Sequence, residues 1–588
     1  MFEENELEKG IVDNTRPLEA EKRKKIILFT VIGVISVAVI IVIIVLVVSH
    51  GKKGENGENN EEINEKDRYG IMNLTYYNDG GNVKIFSDKI KDFTPFEIIY
   101  NNVSYYNTNL EINQTGYPTV TIKFNSSLNM DYLFSGTHLN DIKLFSPNKA
   151  IITSMVETFS MCDSLDNFEI SGFDTSKITS LYRLFYDNDE LKKVIFNDFN
   201  TENVEDMTES FSKCDHLSSL NLSMFNTKKV KKMDYLFNEC SQLTSLDISN
   251  FDTTNVERMD RMFYYCTRLP KLDIPKTFNT KNVKTMSQMF EYCSVLTSIE
   301  LSSFDTSSVT NMERMFTYCK EVSSLDVSKF DTSKVEKMNE MFNKCRNLKY
   351  LDISKFSTNN VLNMTLMFSS ILVTSLDLSN FNTNKVTEME SMFESITTIE
   401  TLDLSSFSTL TTTNMNSMFE GCTNLKTIKI NQEKFDTRNV LDMSGLFNGC
   451  KNLANIDLSK FDTNNVKKMS KMFAGCESFT SLNLSSFDTS NVELMDEMFN
   501  GVNLTSIDLS KFSSFEVRTM KRMFYSCKHL NSVNLIKFDT SKCTNFDEMF
   551  SATTDNITVI LSEKEKTKNQ NLTNALQQYK NIVINFSQ

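Results

Sequence analysis

A phenylalanine recurs every 25 to 28 residues, most often every 26, along most of this 588-residue chain. A regular period of this length is typical of a solenoid, in which each repeat buries its apolar face against its neighbours. The sequence therefore predicts a stack of about 17 coils and not one globular core. The phenylalanine column consists of Phe134, Phe159, Phe185, Phe211, Phe237, Phe263, Phe290, Phe316, Phe342, Phe368, Phe393, Phe419, Phe447, Phe473, Phe499, Phe524 and Phe550.

The apolar pattern changes within each repeat, as in the copy FDTSKVEKMNEMFNKCRNLKYLDIS, which starts at Phe330. Its first apolar residues have helical spacing and are Val335, Met338, Met341, Phe342 and Cys345. Leu351 and Ile353 then alternate with polar residues, which is the period of a strand. We therefore expect an α/β solenoid of turn-helix-strand coils, with one long parallel sheet and helices on its other face.

A short polar residue follows each loop phenylalanine from Phe173 to Phe538. It is always Asp, Asn or Ser, as at Asp331 and Ser357. These residues differ in charge but share a short side-chain acceptor, so the position predicts a helix N-cap or an Asx-type turn.

Composition divides the chain into six predicted segments. They are a charged cytoplasmic tail (1–25), a transmembrane helix (26–49), a flexible polar stalk (50–69), a small β-rich N-terminal cap (70–125), the repeats (126–550) and a strand-helix-strand C-terminal cap (551–588).

The membrane prediction rests on the run from Ile26 to Ser49, which has 24 residues and no charge. At about 1.5 Å per residue it is long enough to cross a hydrocarbon core of about 30 Å. Four basic residues at 22–25 precede it and only Lys52 and Lys53 closely follow, which places the tail inside and the repeats outside the cell. A cleaved signal peptide is the alternative, but the run is long and no small-residue cleavage site follows it.

Eleven Asn-x-Ser/Thr triplets follow this run and permit N-glycosylation in a secretory pathway. A chain rich in Asn, Ser and Thr forms such triplets by chance, so they do not decide the orientation. The candidates are Asn73, Asn102, Asn113, Asn125, Asn221, Asn363, Asn483, Asn503, Asn556, Asn571 and Asn585.

Eleven of the 12 cysteines lie three residues after a column phenylalanine. Equivalent cysteines of adjacent coils would be about 5 Å apart with parallel Cβ vectors, which does not suit a disulfide. Ile371 and Val502 replace cysteine in other repeats. We therefore predict buried free thiols that act as small apolar side chains.

The outward-facing strand residue is acidic in most repeats. The candidate binding residues are Asp247, Asp273, Glu300, Asp326, Asp352, Asp377 and Asp403. Like charges stacked about 5 Å apart repel each other by about 1 kcal/mol in water. Two interpretations stay open, an exposed polar strand face or a strip that binds a divalent cation such as Ca²⁺ or a basic ligand.

Several function classes have no support in the sequence. The net charge of -14 argues against a nucleic-acid partner, because phosphate binding needs a basic surface. No enzyme motif occurs, and the four histidines are too far apart for metal-ligand spacing. We therefore expect no catalytic residue, no metal site and no cofactor.

The repeat consensus, L-D-[IL]-S-x-F-D-T-x-x-V-x-x-M-x-x-M-F-x-x-C-x-x-L, resembles the BspA-like leucine-rich repeat over about residues 124 to 560. It is most similar to the lipoprotein-type variant of mycoplasma and gut-bacterial surface proteins and some microbial eukaryotes. The resemblance implies a right-handed, leucine-rich-repeat-like solenoid on a cell surface, with roles in adhesion to host or matrix proteins or to other cells. An N-terminal apolar segment without a lipobox cysteine departs from the bacterial pattern and favours a type II membrane protein of a eukaryotic microbe.

These observations favour a single-pass surface glycoprotein whose solenoid, roughly 80 Å long at about 5 Å per coil, binds an extracellular protein or glycan. A passive coat or spacer and a surface receptor are the alternatives, and a hydrolase in residues 70–125 has no nucleophile–base pair to support it. The oligomeric state and the ligand stay open.

Overall fold

The computed structural model describes residues 68–90, 95, 97–553 and 556–587, which belong to one structural unit. The tail, the predicted transmembrane helix 26–49 and nearly all of the stalk lie outside these residues. Within the described ranges, no helix is both long and apolar enough to cross a bilayer.

The described elements are strands with a single α-helix. The first strands are β1 (Tyr69–Tyr76), β2 (Val83–Lys84), β3 (Glu97–Tyr100), β4 (Val103–Tyr105), β5 (Glu111–Ile112), β6 (Thr119–Asn125), β7 (Ser127–Asn129), β8 (Leu139–Phe145), β9 (Ile151–Ser154), β10 (Asn167–Ser171) and β11 (Lys193–Phe196). The later elements are β12 (Ser219–Asn221), β13 (Ser245–Asp247), β14 (Ser324–Leu325), β15 (Tyr350–Leu351), β16 (Thr401–Leu404), β17 (Thr427–Ile430), β18 (Ser506–Asp508), β19 (Ser532–Asn534), β20 (Ile557–Ser562), α1 (Gln570–Leu576) and β21 (Ile582–Ser587).

The N-terminal strands and the first coils share one seven-stranded sheet of order β11-β10-β8-β1-β6-β3-β4. β1 pairs antiparallel with β6 and β8, while β8, β10 and β11 are parallel. The alternation in β1 explains its placement, because Met72, Leu74 and Tyr76 are buried and the residues between them face outward. The sheet of the cap therefore continues directly into the strand face of the repeats.

The predicted helix of each repeat is wrong, and with it the α/β class. Glu340 and Lys344, on either side of Phe342, have φ angles of +58° and +59°, whereas an α-helix needs negative φ throughout. The same pair of left-handed positions recurs around other column phenylalanines. The segment is a succession of tight turns, so the described solenoid is nearly all β.

Backbone hydrogen bonds show how this turn segment differs from a helix. The N–H groups of Phe342 and Lys344 donate to carbonyl oxygens of the next coil, at 3.1 and 2.8 Å. Between them, the N–H of Asn343 donates to the carbonyl oxygen of Glu340, three residues back, at 3.1 Å. Alternate residues therefore join the coils, and the others close turns.

The core is a continuous ladder of phenylalanine rings. All 17 rings of the column are in contact from coil to coil, with centroids 4.9 to 6.0 Å apart. Phe86 stacks on the first ring at 5.9 Å, and Tyr579, which follows α1, meets the last ring edge-on at 6.3 Å. Aromatic residues from outside the repeats thus cover both ends of the ladder.

A second ladder runs along the loop. The Oγ1 of Thr332, which is buried, donates to the carbonyl oxygen of Ser357 at 2.8 Å and accepts the N–H of the same residue at 2.7 Å. The preceding residue, Asp331, accepts the N–H of Ser333 at 2.9 Å. Because no helix follows, this is the Asx-type turn of the two predicted alternatives.

The prediction of buried free thiols is confirmed. All 12 cysteines are free and buried. Each of the 11 column cysteines also donates its S–H to the carbonyl oxygen of the column phenylalanine one coil earlier, at 3.0 to 3.3 Å. The thiols therefore supply hydrogen bonds as well as apolar volume.

Candidate functional site

The seven acidic candidates form one column on the strand face, which we call the acidic column: Asp247, Asp273, Glu300, Asp326, Asp352, Asp377 and Asp403. Parallel pairing of β14 with β15 sets Asp326 beside Asp352, directly after each strand. Pairing at the ends adds Asn221 before Asp247 and Lys429 after Asp403. All seven side chains are exposed or half-buried.

Most of these carboxylates close a local turn. The Oδ1 of Asp326 accepts the N–H of Ser328 at 3.2 Å and its hydroxyl at 2.5 Å. The same N–H bond to the residue two positions on occurs at 3.0 Å for Asp247, Glu300, Asp352, Asp377 and Asp403. Asp273 is the exception, because the residue two positions after it is Pro275, which has no N–H.

These bonds favour the charged form of five of the seven carboxyl groups. Hydrogen bonds from the serine two residues on hold the pKa of each carboxyl below its ordinary value at Glu300, Asp326, Asp352, Asp377 and Asp403. These five side chains are therefore anionic at any neutral or mildly acidic pH.

The turn does not require the charge. Asn221 accepts the N–H of Ser223 at 2.9 Å, and Asn483 accepts that of Ser485 at 3.1 Å, in the same column. A neutral amide oxygen thus closes this turn as well as a carboxylate does. The negative charge of the column needs another explanation.

The column has fewer direct ion pairs than the turn segments of the described chain, although Lys329 and Lys355 are close enough to lower the pKa of neighbouring column carboxyls. Only Asp273 and Asp403 have an ion pair there, with Lys271 at 2.7 Å and Lys429 at 3.8 Å. In the turn segments, by contrast, basic and acidic side chains of adjacent coils form ion pairs, as between Lys231 and Glu205 at 2.6 Å. Other such pairs are Arg314–Glu340, Lys468–Asp442, Arg518–Glu493 and Arg522–Glu548.

The divalent-cation interpretation gains no support from this geometry. Over the described residues, no group of three or more His, Cys, Asp or Glu side chains is arranged to hold a metal ion. The carboxylates follow one another in single file along the coils, so neighbouring oxygens do not converge on one point.

The glycosylation candidates are mostly accessible. Ten of the eleven asparagines are exposed, and Asn363 alone is half-buried, with its amide oxygen accepting the N–H of Thr365 at 2.7 Å. Asn221 and Asn483 stand in register with the acidic column, beyond its two ends. Their occupancy stays a prediction.

A second surface was missed from the sequence and lies on the outer face of the seven-stranded sheet. It is a shallow groove of about 480 Å³, which we call the N-terminal groove, floored by outward residues of β1, β6, β8, β10 and β11. Tyr77 and Tyr117 form an exposed pair, with ring centroids 5.7 Å apart, next to its Thr75–Thr119 end. β8, β10 and β11 follow one another at the repeat period, but β1 and β6 join them by antiparallel pairings that the period does not indicate.

A protein-family model matches most of the chain. Its description is "Mycoplasma protein of unknown function, DUF285", and it matches residues 128–230, 179–296, 270–373, 348–429, 424–533 and 482–585. None of the curated proteins compared with the chain is significantly similar to it in sequence.

Three solved structures align with large parts of the chain. A leucine rich cell surface protein from Faecalibacterium prausnitzii A2-165 is 15% identical, with 76% of this chain and 94% of that one covered and a TM-score of 0.28. A leucine-rich repeat protein from Eubacterium ventriosum ATCC 27560 is 17% identical, with 66% and 83% covered and a TM-score of 0.29. The functional domain of InlJ from Listeria monocytogenes, which includes a cysteine ladder, is 13% identical, with 79% and 75% covered and a TM-score of 0.18. At these TM-scores the overall superpositions are poor.

Proposed function

The chain belongs to the family described as Mycoplasma protein of unknown function, DUF285, and we propose that its repeat array is a cell-surface scaffold that binds a cationic segment of an extracellular protein. The acidic column is the binding face in this proposal. The BspA-like type of repeat and the adhesive role that it implies are part of the same proposal.

The observation that carries the proposal is the comparison of Asp326 with Asn221. Both side chains close the same turn with the same bond, at 3.2 and 2.9 Å, but only the aspartate adds a charge. An unbroken run of seven acids therefore exceeds what the turns need. Stacked like charges are relieved when a cationic partner binds along them, and such binding is expected to weaken with salt.

Surface display rests on a different part of the chain. The uncharged run 26–49 is long enough to span a bilayer and is preceded by four basic residues. Protease treatment of intact cells tests this orientation. Removal of the array with retention of a short tail fragment supports it, whereas protection of the array from protease contradicts it.

Binding is tested with the triple variant Asp326→Asn, Asp352→Asn and Asp377→Asn. Asparagine keeps the turn bond, as Asn221 shows, so the variant removes three charges without opening the turns. The probe is a fluorescent lysine-rich peptide titrated at low and high salt against full-length protein in detergent. We expect at least a tenfold loss of affinity at low salt and a small difference at high salt.

A matched control changes the net charge equally on the neighbouring loop. Its substitutions are Asp305→Asn, Asp331→Asn and Asp462→Asn, at a turn position where Asn200 and Asn279 occur naturally. The proposal requires this control to bind the peptide nearly as the native protein does. An equal loss of peptide affinity in both triple variants would mean that binding depends only on the overall charge of the protein. A passive coat or spacer would then be the better explanation.

A further inference from the structure

The N-terminal groove has the chemistry of a saccharide site. We propose that it binds a neutral oligosaccharide, independently of the acidic column. The sheet brings outward side chains from five strands into two parallel rows across the face.

The first row runs across the strands in strict register. Thr119 pairs with Thr75, Thr75 with Asp141, Asp141 with Asn167, and Asn167 with Lys193. Adjacent strands are about 4.8 Å apart, so the row offers a polar group at each step over roughly 19 Å. Hydroxyl and amide groups both donate and accept hydrogen bonds, which matches the hydroxyl groups of a sugar chain.

The second row lies one pleat away and contains Thr121, Asn73, Lys143 and Glu169. Thr121 donates to the Oδ1 of Asn73 at 3.0 Å, and Lys143 pairs with Glu169 at 3.0 Å. These contacts hold the side chains in place before a ligand arrives, which lowers the entropic cost of binding.

Charge balance argues for a neutral ligand. The two rows contain two acids, Asp141 and Glu169, and two bases, Lys143 and Lys193, so their formal charges cancel. The groove therefore has no net charge to attract a nucleic acid, an acidic polysaccharide or a strongly basic peptide. The floor has a single outward aliphatic side chain, Ile195, which is too little for an apolar protein interface.

The tyrosine pair supplies the apolar contact that a sugar ring needs. Tyr117 is 63% exposed and Tyr77 is 41% exposed, whereas tyrosine usually has intermediate burial. They contact each other beside the row that begins at Thr119. An aromatic face next to a line of hydrogen-bonding groups suits the apolar faces and hydroxyl rims of pyranose rings.

The position of Asn73 adds a condition. It is one of the glycosylation candidates and lies in the second row of the groove. A glycan attached to Asn73 would occupy the site, so attachment and ligand binding exclude each other. The test therefore uses full-length protein in detergent, made in a bacterial host that does not attach N-glycans.

The experiment is an array of neutral and acidic oligosaccharides, followed by titration of the best neutral probe. We expect retention of neutral probes, at least tenfold weaker binding by Tyr117→Ala and by Asn167→Ala, and near-native binding by Tyr117→Phe. Tyr350→Ala is the matched control, because Tyr350 is 64% exposed on the strand face of a distant coil. Because Tyr117 and Asn167 are exposed, we expect these variants to melt as the native protein does.

The outcomes separate this site from the acidic column. Retention of acidic probes alone, no retention of neutral probes, or equal loss in Tyr117→Ala and Tyr350→Ala would overturn the proposal. The aspartate-to-asparagine triple variant is expected to bind the neutral probe normally, and Tyr117→Ala to bind the lysine-rich peptide normally. Failure of one site therefore leaves the other intact.

Discussion

The thiol of Cys345 donates to the carbonyl oxygen of Phe316, one coil earlier in the stack, at 3.0 Å. Each column cysteine therefore joins two coils while it fills apolar space. Burial raises the pKa of Cys345 from 9.0 to about 12, and that of Cys293 equally.

These raised values predict alkaline destabilisation. A thiol whose pKa is higher in the folded than in the unfolded chain contributes stability that is complete below the unfolded pKa and is lost as pH rises. We expect the melting temperature to fall progressively between about pH 9 and pH 12. The double variant Cys293→Val and Cys345→Val, which follows the natural Val502, should show a weaker fall, and an identical pH dependence would contradict the assignment.

The period of the repeat and the burial of its thiols could be predicted from sequence, but the backbone of the turn segment could not. Apolar residues three apart face inward both in a helix and in successive three-residue turns, so the stripe from Val335 to Cys345 does not distinguish them. The left-handed backbone at Glu340 and Lys344 distinguishes the turns from a helix, and neither residue type indicates such a backbone in the sequence. Glycine takes this role only in some coils, as at Gly449 and Gly475.

The sequence predicts which residues form the acidic column, but not the hydrogen bonds that they make. Alternation with Leu351 and Ile353 places Asp352 on the outer strand face. Its bond to Ser354, however, appears only when the chain turns after the strand. The N-terminal groove also depends on the antiparallel pairings of Thr75 with Thr119 and with Asp141, which lie outside the repeat period and leave no periodic signal.

Left-handed positions without glycine predict a stabilising substitution. Met161 has a φ of +58° and is 42% exposed, so its side chain gains little from packing. Met161→Gly should raise the free energy of unfolding by about 1 kcal/mol, because glycine adopts this backbone without the steric cost that other residues pay. The measurement is urea denaturation followed by circular dichroism.

The control for this prediction is Met224→Gly. Met224 is 43% exposed and has no left-handed backbone. There the added chain entropy of glycine should lower stability by about 0.5–1 kcal/mol. Equal effects at the two methionines would show that the left-handed backbone carries no cost at Met161.

The second ladder, in which Thr332 bonds to Ser357 of the next coil, predicts a large effect of one oxygen atom. Thr332→Val keeps the shape of the side chain but leaves the N–H and the carbonyl of Ser357 without their partner, which should cost about 1–3 kcal/mol. Thr332→Ser should cost much less, because Ser514 makes both bonds at the same position of another coil, at 3.0 and 2.9 Å. Amide hydrogen exchange at Ser357 measures the difference, and unchanged protection in the valine variant would contradict it.

Acid stability should depend on the acidic column. Hydrogen bonds from Ser328, Ser354 and Ser379 hold the pKa values of Asp326, Asp352 and Asp377 below 3.8, so these groups release protons more readily in the folded chain. The stability that they contribute is present above the unfolded pKa and is lost as pH falls through the folded pKa. In the triple asparagine variant no proton binds at these positions, and its melting temperature should therefore fall less than that of the native protein between pH 4 and pH 2. Scanning calorimetry across this range measures the difference. Parallel curves would contradict this prediction. They would mean that the serine bonds stabilise the carboxylic acid and the carboxylate equally and do not lower the pKa of these groups.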